Sequence, residues 1–411
     1  MGDALSNFFL DDPRKLDEPF ADLAWLRKHR PVYRHEPIGQ WFVFPYREVR
    51  DLLADPRLSA DRMAGFVDAA PPSVRDELRT LVPYLEDWLL MSDGEKHSRL
   101  RRVLHQGFNT TAVAALRGPI ERAANELIDA ASGTGRIDVA ADYGFLLPAY
   151  VLSDFMGVHR EDRDRVVQWS VDFVDFFNVI PITEDTTHRM VKSAHEMSAY
   201  TRELLAERRN GKHEDFLGLM SSAAARGEIE DEEIVGNTLL LLLAGHVAVR
   251  NLIGNLVWLL LGHPDQHELL RADPGLMESV VEESLRYEPP VTLIPRITIE
   301  EIVVRGQRIP AGEIVQLSLA AANRDPSQFP DPNRFDAARR PRGVVSFGHG
   351  PHGCLGARLA KEQATIALEV LFRRLGTEVR LDETGEVRWY RNAGNRGPEE
   401  LPLTFGTVRG N

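Results

Sequence analysis

The sequence predicts a mainly α fold with a minor β portion, and three observations carry that prediction. From about residue 95 to 290 nearly every segment spaces its apolar residues for a helix, punctuated by Gly, Pro and Asp. One stretch, DEEIVGNTLLLLLAGHVAVRNLIGNLVWLLLGHP from Asp231 to Pro264, is apolar nearly all round, as a helix buried in a large core must be. After Pro289 and Pro290 the texture changes to β-branched runs with turn signals at RGQ and PAG.

In chain order, FADLAWLRKHR (20 to 30) reads as an amphipathic helix, and QWFVFPYREVRDLLADP as a strand near 38–46 that turns into a helix. The long helix starts on acidic residues and stops at Gly262 and Pro264, as helix termini prefer. At about 1.5 Å per residue it would be ~45 Å long, enough to cross a large domain. VTLIPRITIEEIVVRGQRIPAGEIVQLSLAAANRD supplies a small sheet over 291–320. LGARLAKEQATIALEVLFRRLG is a helix closed by Gly376, and short strands over 378–407 end the chain. There is no internal repeat, low-complexity tract or Gly/Ser linker, so residues 1–411 read as a single domain.

Composition narrows the function classes. With 43% hydrophobic and 27% charged residues the chain has the balance of a soluble globular protein. A net charge of −13 argues against nucleic acid as a partner, because phosphate binding wants a basic surface. One cysteine in 411 residues excludes an internal disulfide framework and suits a reducing compartment. The start, MGDALSNFFLDDPRKLDEPF, lacks a basic region followed by an apolar core, so no secretory signal is expected. The longest apolar run, LLLLLAG at 239 to 245, soon meets His246, Arg250 and Asn251 and is too short to span a bilayer. The expected location is cytoplasmic, with no membrane association.

That single cysteine, Cys354, lies in FGHGPHGCLG, among Gly348, Gly350, Gly353 and Gly356. A lone cysteine is usually a small buried hydrophobe. Here the glycines make a backbone that is costly to order and has little side chain to pack, which suits close approach of something large to the main chain. Cys354 is also placed at the start of a helix, whose dipole and free N–H groups favour a thiolate. Zinc held by His349, His352 and Cys354 is one reading, but structural zinc usually takes four ligands and more cysteines. A single axial thiolate suits heme, where the porphyrin fills the equatorial positions.

The stretch resembles the heme-binding signature of the cytochromes P450, with Phe347, Gly348, Gly350, His352, Cys354 and Gly356 at the expected places. The likeness covers almost the whole chain. EESLR holds Glu283 and Arg286, three apart on one helix face, matching the family's E-x-x-R pair. Followed by NRDPSQFPDPNRFDAARR, it implies a structural triad with Arg339 as third member, holding the chain beneath the heme. His97 and Arg101 in EKHSRLRR match the family's H-x-x-x-R, and Arg296 in LIPRIT its arginine between the helical and sheet parts. With His352 these are the implied partners of the propionates, which call for cationic, forked donors. The resemblance implies the single-domain cytochrome P450 fold of soluble bacterial members and heme b with Cys354 as axial ligand. The thiolate of that family pushes electron density to favour O–O cleavage.

One departure is chemically sharp. Many bacterial relatives carry A-G-x-[DE]-T in the long helix, where an acid and a threonine relay protons to iron-bound dioxygen. Here Ala244 and Gly245 are kept, but Val247 and Ala248 stand at the acid and threonine positions. General acid–base help is typically worth ~10²–10⁴ in rate, roughly 3–5 kcal/mol. First in order is monooxygenase-type oxidation of a small organic molecule with non-standard oxygen activation, either substrate-assisted, the substrate supplying the missing proton donor, or otherwise unusual. The alternatives are peroxide as oxidant, or dioxygen-independent chemistry such as N–O bond activation with group transfer, rearrangement or dehydration. A third class is a non-catalytic heme sensor or carrier. His246 and Arg250 share a helix face about 200° from Ala248, which turns them away from the iron. Arg250 is read as structural, with an acidic partner.

Family resemblance places the substrate pocket beside Phe173, Phe176 and Phe177 of VVQWSVDFVDFFNVIP and beside Val291, Leu293 and Ile294. An apolar or aromatic substrate, in bacterial secondary metabolism, is expected. A ferredoxin-type electron donor would dock where Arg99, Arg101 and Arg102 begin a basic patch.

Overall fold

The long apolar stretch forms one helix, Asp231–Gly262, in the computed structural model, which describes residues 13–63, 67, 70–178, 183–209, 211 and 213–410. The first twelve residues, on which the absence of a signal was read, lie outside them. Helices Leu146–Met156, Arg163–Asn178, Glu184–Arg208 and Ala357–Leu375 pack around the long one. It is long and apolar enough to cross a membrane, yet 67% of its most apolar window is buried in protein, so its apolar surface is already covered. A capping box opens it, the Glu230 N–H donating to Glu233 Oε2 at 3.0 Å.

The polar residues along this helix fasten loops to it. Asn237 accepts the Leu89 N–H at 2.9 Å and donates to the Asp87 carbonyl at 2.7 Å. Asn255 donates to the carbonyls of Glu288 and Arg396 at 2.9 and 3.1 Å. Both asparagines are buried, so these bonds offset the desolvation of backbone groups at the segments they hold.

The main sheet has five strands in the order Val32–His35, Gln40–Val43, Ile314–Ser318, Leu293–Thr298 and Leu58–Ser59. All neighbours are antiparallel except Gln40–Val43 with Ile314–Ser318. The strand and helix of QWFVFPYREVRDLLADP fall at Gln40–Val43 and Tyr46–Leu53. Three strands were not anticipated: Val32–His35, Leu58–Ser59 and Arg136–Asp138. At two to four residues each they are too short for a period of two to stand out. One helical core and two smaller clusters against the sheet complete the single-domain, mainly α fold.

Candidate functional site

Cys354 sits in a loop pinned by its own backbone. Its N–H donates to the Phe347 carbonyl at 2.7 Å, and the Gly348 N–H to the Val345 carbonyl at 2.8 Å. Gly348 and Gly350 take φ of +72° and +73°, where a side chain is strained. At Gly350 a Cβ would also lie 2.7 Å from that of Ala54. Two of the four glycines are therefore required by the chain's own fold rather than by a visitor. A Cβ on Gly356, by contrast, would meet only Phe108 at 3.7 Å. The helix starts at Ala357 with Gly356 as N-cap, so Cys354 lies before it and not in its first turn. Burial accordingly raises the thiol pKa, outweighing the Gly356 N–H and Arg101, which pull it down. Cys354 nevertheless has exposed surface. Desolvation and exposure agree if the sulfur opens into a recess walled by protein, and the desolvation decides between that and the outer surface.

Glu283 and Arg286 are both fully buried. Arg286 Nε and Nη2 meet Glu283 Oε2 and Oε1 at 2.7 and 2.8 Å, and Arg339 Nε reaches Oε1 at 2.9 Å. Arg286 also donates to the carbonyls of Asn323, Pro332 and Arg334 at 3.1, 2.8 and 3.1 Å. The three predicted residues thus form one network, and it ties the segment before the cysteine loop to the Met277–Tyr287 helix.

Beside the loop the chain gathers cations. The rings of His97 and His352 lie 4.1 Å apart, and His352 Nε2 is 3.0 Å from Asp93 Oδ1. His97 is 3% exposed, and its Nε2 has no hydrogen-bond partner among the described residues. Burial, then His352 and Arg101, lower its pKa to about 4, so it is a neutral donor at pH 7. Arg296, also 3% exposed, bonds only the Pro295 carbonyl among the described residues, and burial, reinforced by Arg62, lowers it to about 10. Among the described residues neither Arg296 nor Arg101 has a carboxylate within 4 Å. Asp93, the acid at hand, is already engaged by Ser59, the Ala60 N–H and His352. Sequence reasoning missed Asp93 and Arg62. Asp93 was findable as the residue before a helix start, four ahead of His97, whereas nothing marked Arg62.

In mid-helix, the accessible residues Leu241, Ala244, Gly245 and Ala248 follow each other at helical spacing, while Val247 is buried on their flank. This stripe carries no polar side chain. His246 is fully buried against Phe145, ring centroids 4.2 Å apart, and burial lowers its pKa to about 3. Arg250 is buried too, but among the described residues it has no ion pair within 4 Å; Glu399 and Asp138 act on it through their charge alone. It donates to the carbonyls of Ala140 and Glu399 at 3.2 and 2.9 Å and to the Tyr390 hydroxyl. Carbonyl oxygens and a phenol give its N–H groups acceptors without neutralising its charge, and burial lowers its pKa to about 10.

The other expectations fare unevenly. Phe173 and Phe176 are each 2% exposed in the main core, so they offer a ligand almost no surface; an apolar stripe at helical spacing is core here. Phe177 is half-buried and, with Phe173, Trp88 and Leu239, lines a narrow apolar gap. Val291 and Ile294 are half-buried at the sheet, Ile294 reaching to 3.9 Å of the Cβ position of Gly348. Leu293 lines a separate gap with Leu16 and Arg396. The basic patch does not form as expected: Arg99 is paired with Glu233, and Arg101 acts on Cys354, leaving Arg102 exposed. Nor do His349, His352 and Cys354 converge for zinc, since no metal-holding group of His, Cys, Asp or Glu occurs among the described residues.

These residues fit a dianionic, thiolate-ligated macrocycle. An orphaned buried imidazole nitrogen, guanidinium groups without carboxylates and a recessed sulfur are groups for which two propionates and one metal would supply the partners. Comparison with known proteins agrees. The cytochrome P450 family model matches residues 72–387, and this chain belongs to the cytochrome P450 family. It is 36% identical to the cytochrome P450 monooxygenase PikC of Streptomyces venezuelae, over 94% of this chain and 91% of that protein. It is 35% identical to the mycinamicin IV hydroxylase/epoxidase of Micromonospora griseorubida, over 92% and 94%. Among solved structures it superposes on P450BioI in complex with an acylated acyl carrier protein with a TM-score of 0.86, at 31% identity, covering 96% and 99%. The chain is thus an oxidoreductase of a family that uses heme with cysteine thiolate ligation, small-molecule substrates and redox partners.

Proposed function

We propose that this enzyme holds heme b on Cys354 and oxidises an apolar small molecule of bacterial secondary metabolism, with the substrate contributing the proton donor that the long helix lacks. When bound, the heme supplies the activation of an oxidant next to the substrate. His97, Arg101, Arg296 and His352 take the propionates, and Phe347, Gly348 and Gly356 border the porphyrin. Glu283, Arg286 and Arg339 keep the underlying chain in place. We assign the protein to the cytoplasm, with the whole of residues 1–411 as one domain and a ferredoxin-type electron donor.

The observation that carries this reading is the stripe Leu241, Ala244, Gly245, Ala248, with Val247 beside it: none of these side chains can hold or pass a proton. A hydroxyl or amine on the substrate, ordering one water, restores what the acid and threonine provide elsewhere. Reductant consumed against product formed tests it. Substrates lacking a donor should couple poorly and hydroxylated or aminated analogues well, and V247E/A248T should raise coupling only for the former. Tight coupling on a donor-free substrate overturns the reading. The same featureless stripe also suits dioxygen-independent chemistry or peroxide, and turnover in an anaerobic vial without peroxide would select the first of these.

A further inference from the structure

Arg62 and Arg296 come from segments far apart in sequence, yet both aim at one atom. Arg62 Nη1 donates to the Pro295 carbonyl at 3.3 Å, and Arg296 Nη1 to the same oxygen at 3.0 Å. Arg62 Nη1 also donates to the Ala60 carbonyl at 2.8 Å. The remaining nitrogens of both forks, Nε and Nη2, bond no acceptor among the described residues. Two guanidinium groups sharing one acceptor repel each other at close range, and burial strengthens the repulsion. Each lowers its charge affinity in consequence of desolvation first, and Arg62 adds to the lowering at Arg296. Asp61 and Asp93 are nearby but form no ion pair with either arginine: Asp61 accepts the Met63 N–H at 3.0 Å, and Asp93 is engaged as described. A like-charged pair held this way by carbonyls is completed by an anion that takes both free forks.

We propose that Arg62 and Arg296 form the two jaws of a carboxylate-binding site at the edge of the Cys354 recess, with Arg62 a binding residue that the family pattern does not supply. A carboxylate suits the planar, two-toothed geometry that a pair of forks presents. It has two sources: a heme propionate bridged between the arginines, or the carboxylate of a substrate, since Arg101 and Arg296 already match two propionates in charge. The proposal rests on the heme reading above.

The variants R62Q and R62K are compared with wild type as holoproteins. Two quantities are read: the rate of hemin transfer to apomyoglobin, and optical titration with decanoic acid and with its methyl ester. If the carboxylate is a propionate, R62Q releases hemin ~10-fold faster and R62K less than ~3-fold faster, with the acid-to-ester affinity ratio unchanged. If it belongs to a substrate, hemin release is unchanged and R62Q loses ~10-fold in acid-over-ester preference. Should R62Q not accumulate, R62M is read in its place, with the same ~10-fold change expected in one of the two quantities. Both quantities within about twofold of wild type in a spectrally normal variant overturn the proposal. Failure of the heme reading would look different, because wild type itself would then lack a thiolate–heme spectrum.

Discussion

Glu283→Gln is the most informative single perturbation of this fold. Glu283 is fully buried and its oxygens accept four hydrogen bonds: Arg286 Nε at 2.7 Å, Arg286 Nη2 at 2.8 Å, Arg339 Nε at 2.9 Å and the Asp336 N–H at 3.1 Å. Three fall on Oε1 and one on Oε2. A glutamine can keep the three on its oxygen, but its NH₂ then faces Arg286 Nε, donor against donor. The change also strips two guanidinium groups, one of them wholly buried, of the only carboxylate they have among the described residues. Breaking a buried pair by removing one partner costs about 3–5 kcal/mol, far above the ~1 kcal/mol of an ordinary hydrogen bond. Arg286→Met should not rescue it, because the carbonyls of Asn323 and Pro332 would lose their donor as well, while that of Arg334 keeps Arg339 Nη2. Urea denaturation followed by circular dichroism, alongside heme absorbance, gives the loss directly. A shift under 1 kcal/mol in E283Q would refute the claim that this carboxylate is the electrostatic keystone.

Three further outcomes are expected. His246 is neutral when folded down to about pH 3, whereas the unfolded chain protonates it near 6.5, so stability is intact above 6.5 and falls as pH drops toward 3. The loss approaches ~1.4 kcal/mol per pH unit, and H246L should flatten the slope of stability against pH in that window; an identical slope refutes it. Gly350→Ala places a side chain at φ +73° and its Cβ 2.7 Å from that of Ala54, for a loss of at least ~2 kcal/mol by thermal unfolding. Adding A54G should return only part of the loss, because the Ala54 Cα would still lie 2.9 Å away and the backbone strain remains, so full recovery would refute this account. Finally, Cys354→Ser should abolish the thiolate signature of the ferrous carbon monoxide adduct, and a retained signature would remove Cys354 from the iron.

Which parts were legible follows from how far each interaction reaches along the chain. Glu283 and Arg286 stand three apart on one helix, and the cysteine loop is continuous, so local spacing displays them. The length of Asp231–Gly262 was visible because an all-apolar surface needs no partner to be recognised. Arg250 was not legible in the same way. Its acceptors come from Ala140, Tyr390 and Glu399, and two of the three are backbone oxygens that every residue possesses. The same limit applies to Arg62 and Arg296, which meet only because Pro295 offers its carbonyl to both. Phe173 and Phe176 illustrate a different failure. A stripe of aromatics reports that a helix face is covered, but core and ligand cover it with the same chemistry, and here the core does so.

Polar groups are distributed unequally about Cys354, and the asymmetry bears on chemistry. On the flank lie Arg62, Arg101, Arg296, His97 and His352 with one engaged acid, and toward Met277–Tyr287 a carboxylate is shared by two arginines. Along the accessible stripe of the long helix there is no donor or acceptor side chain. The nearest titratable neighbour in sequence, His246, is fully buried against Phe145, and protonating it would place a cation next to Arg250. Rotating His246 into service would require leaving that packing and breaching a helix surface already filled, a change of the size that disrupts cores. On the proposed reading, the side chains assigned to the cofactor are therefore polar and in place, while the positions assigned to proton delivery, Val247 and Ala248, carry only hydrocarbon. On the same reading, selectivity would then follow from reactivity: substrates bearing a well-placed hydroxyl or amine would complete the site, and those without one would bind but divert electrons from product.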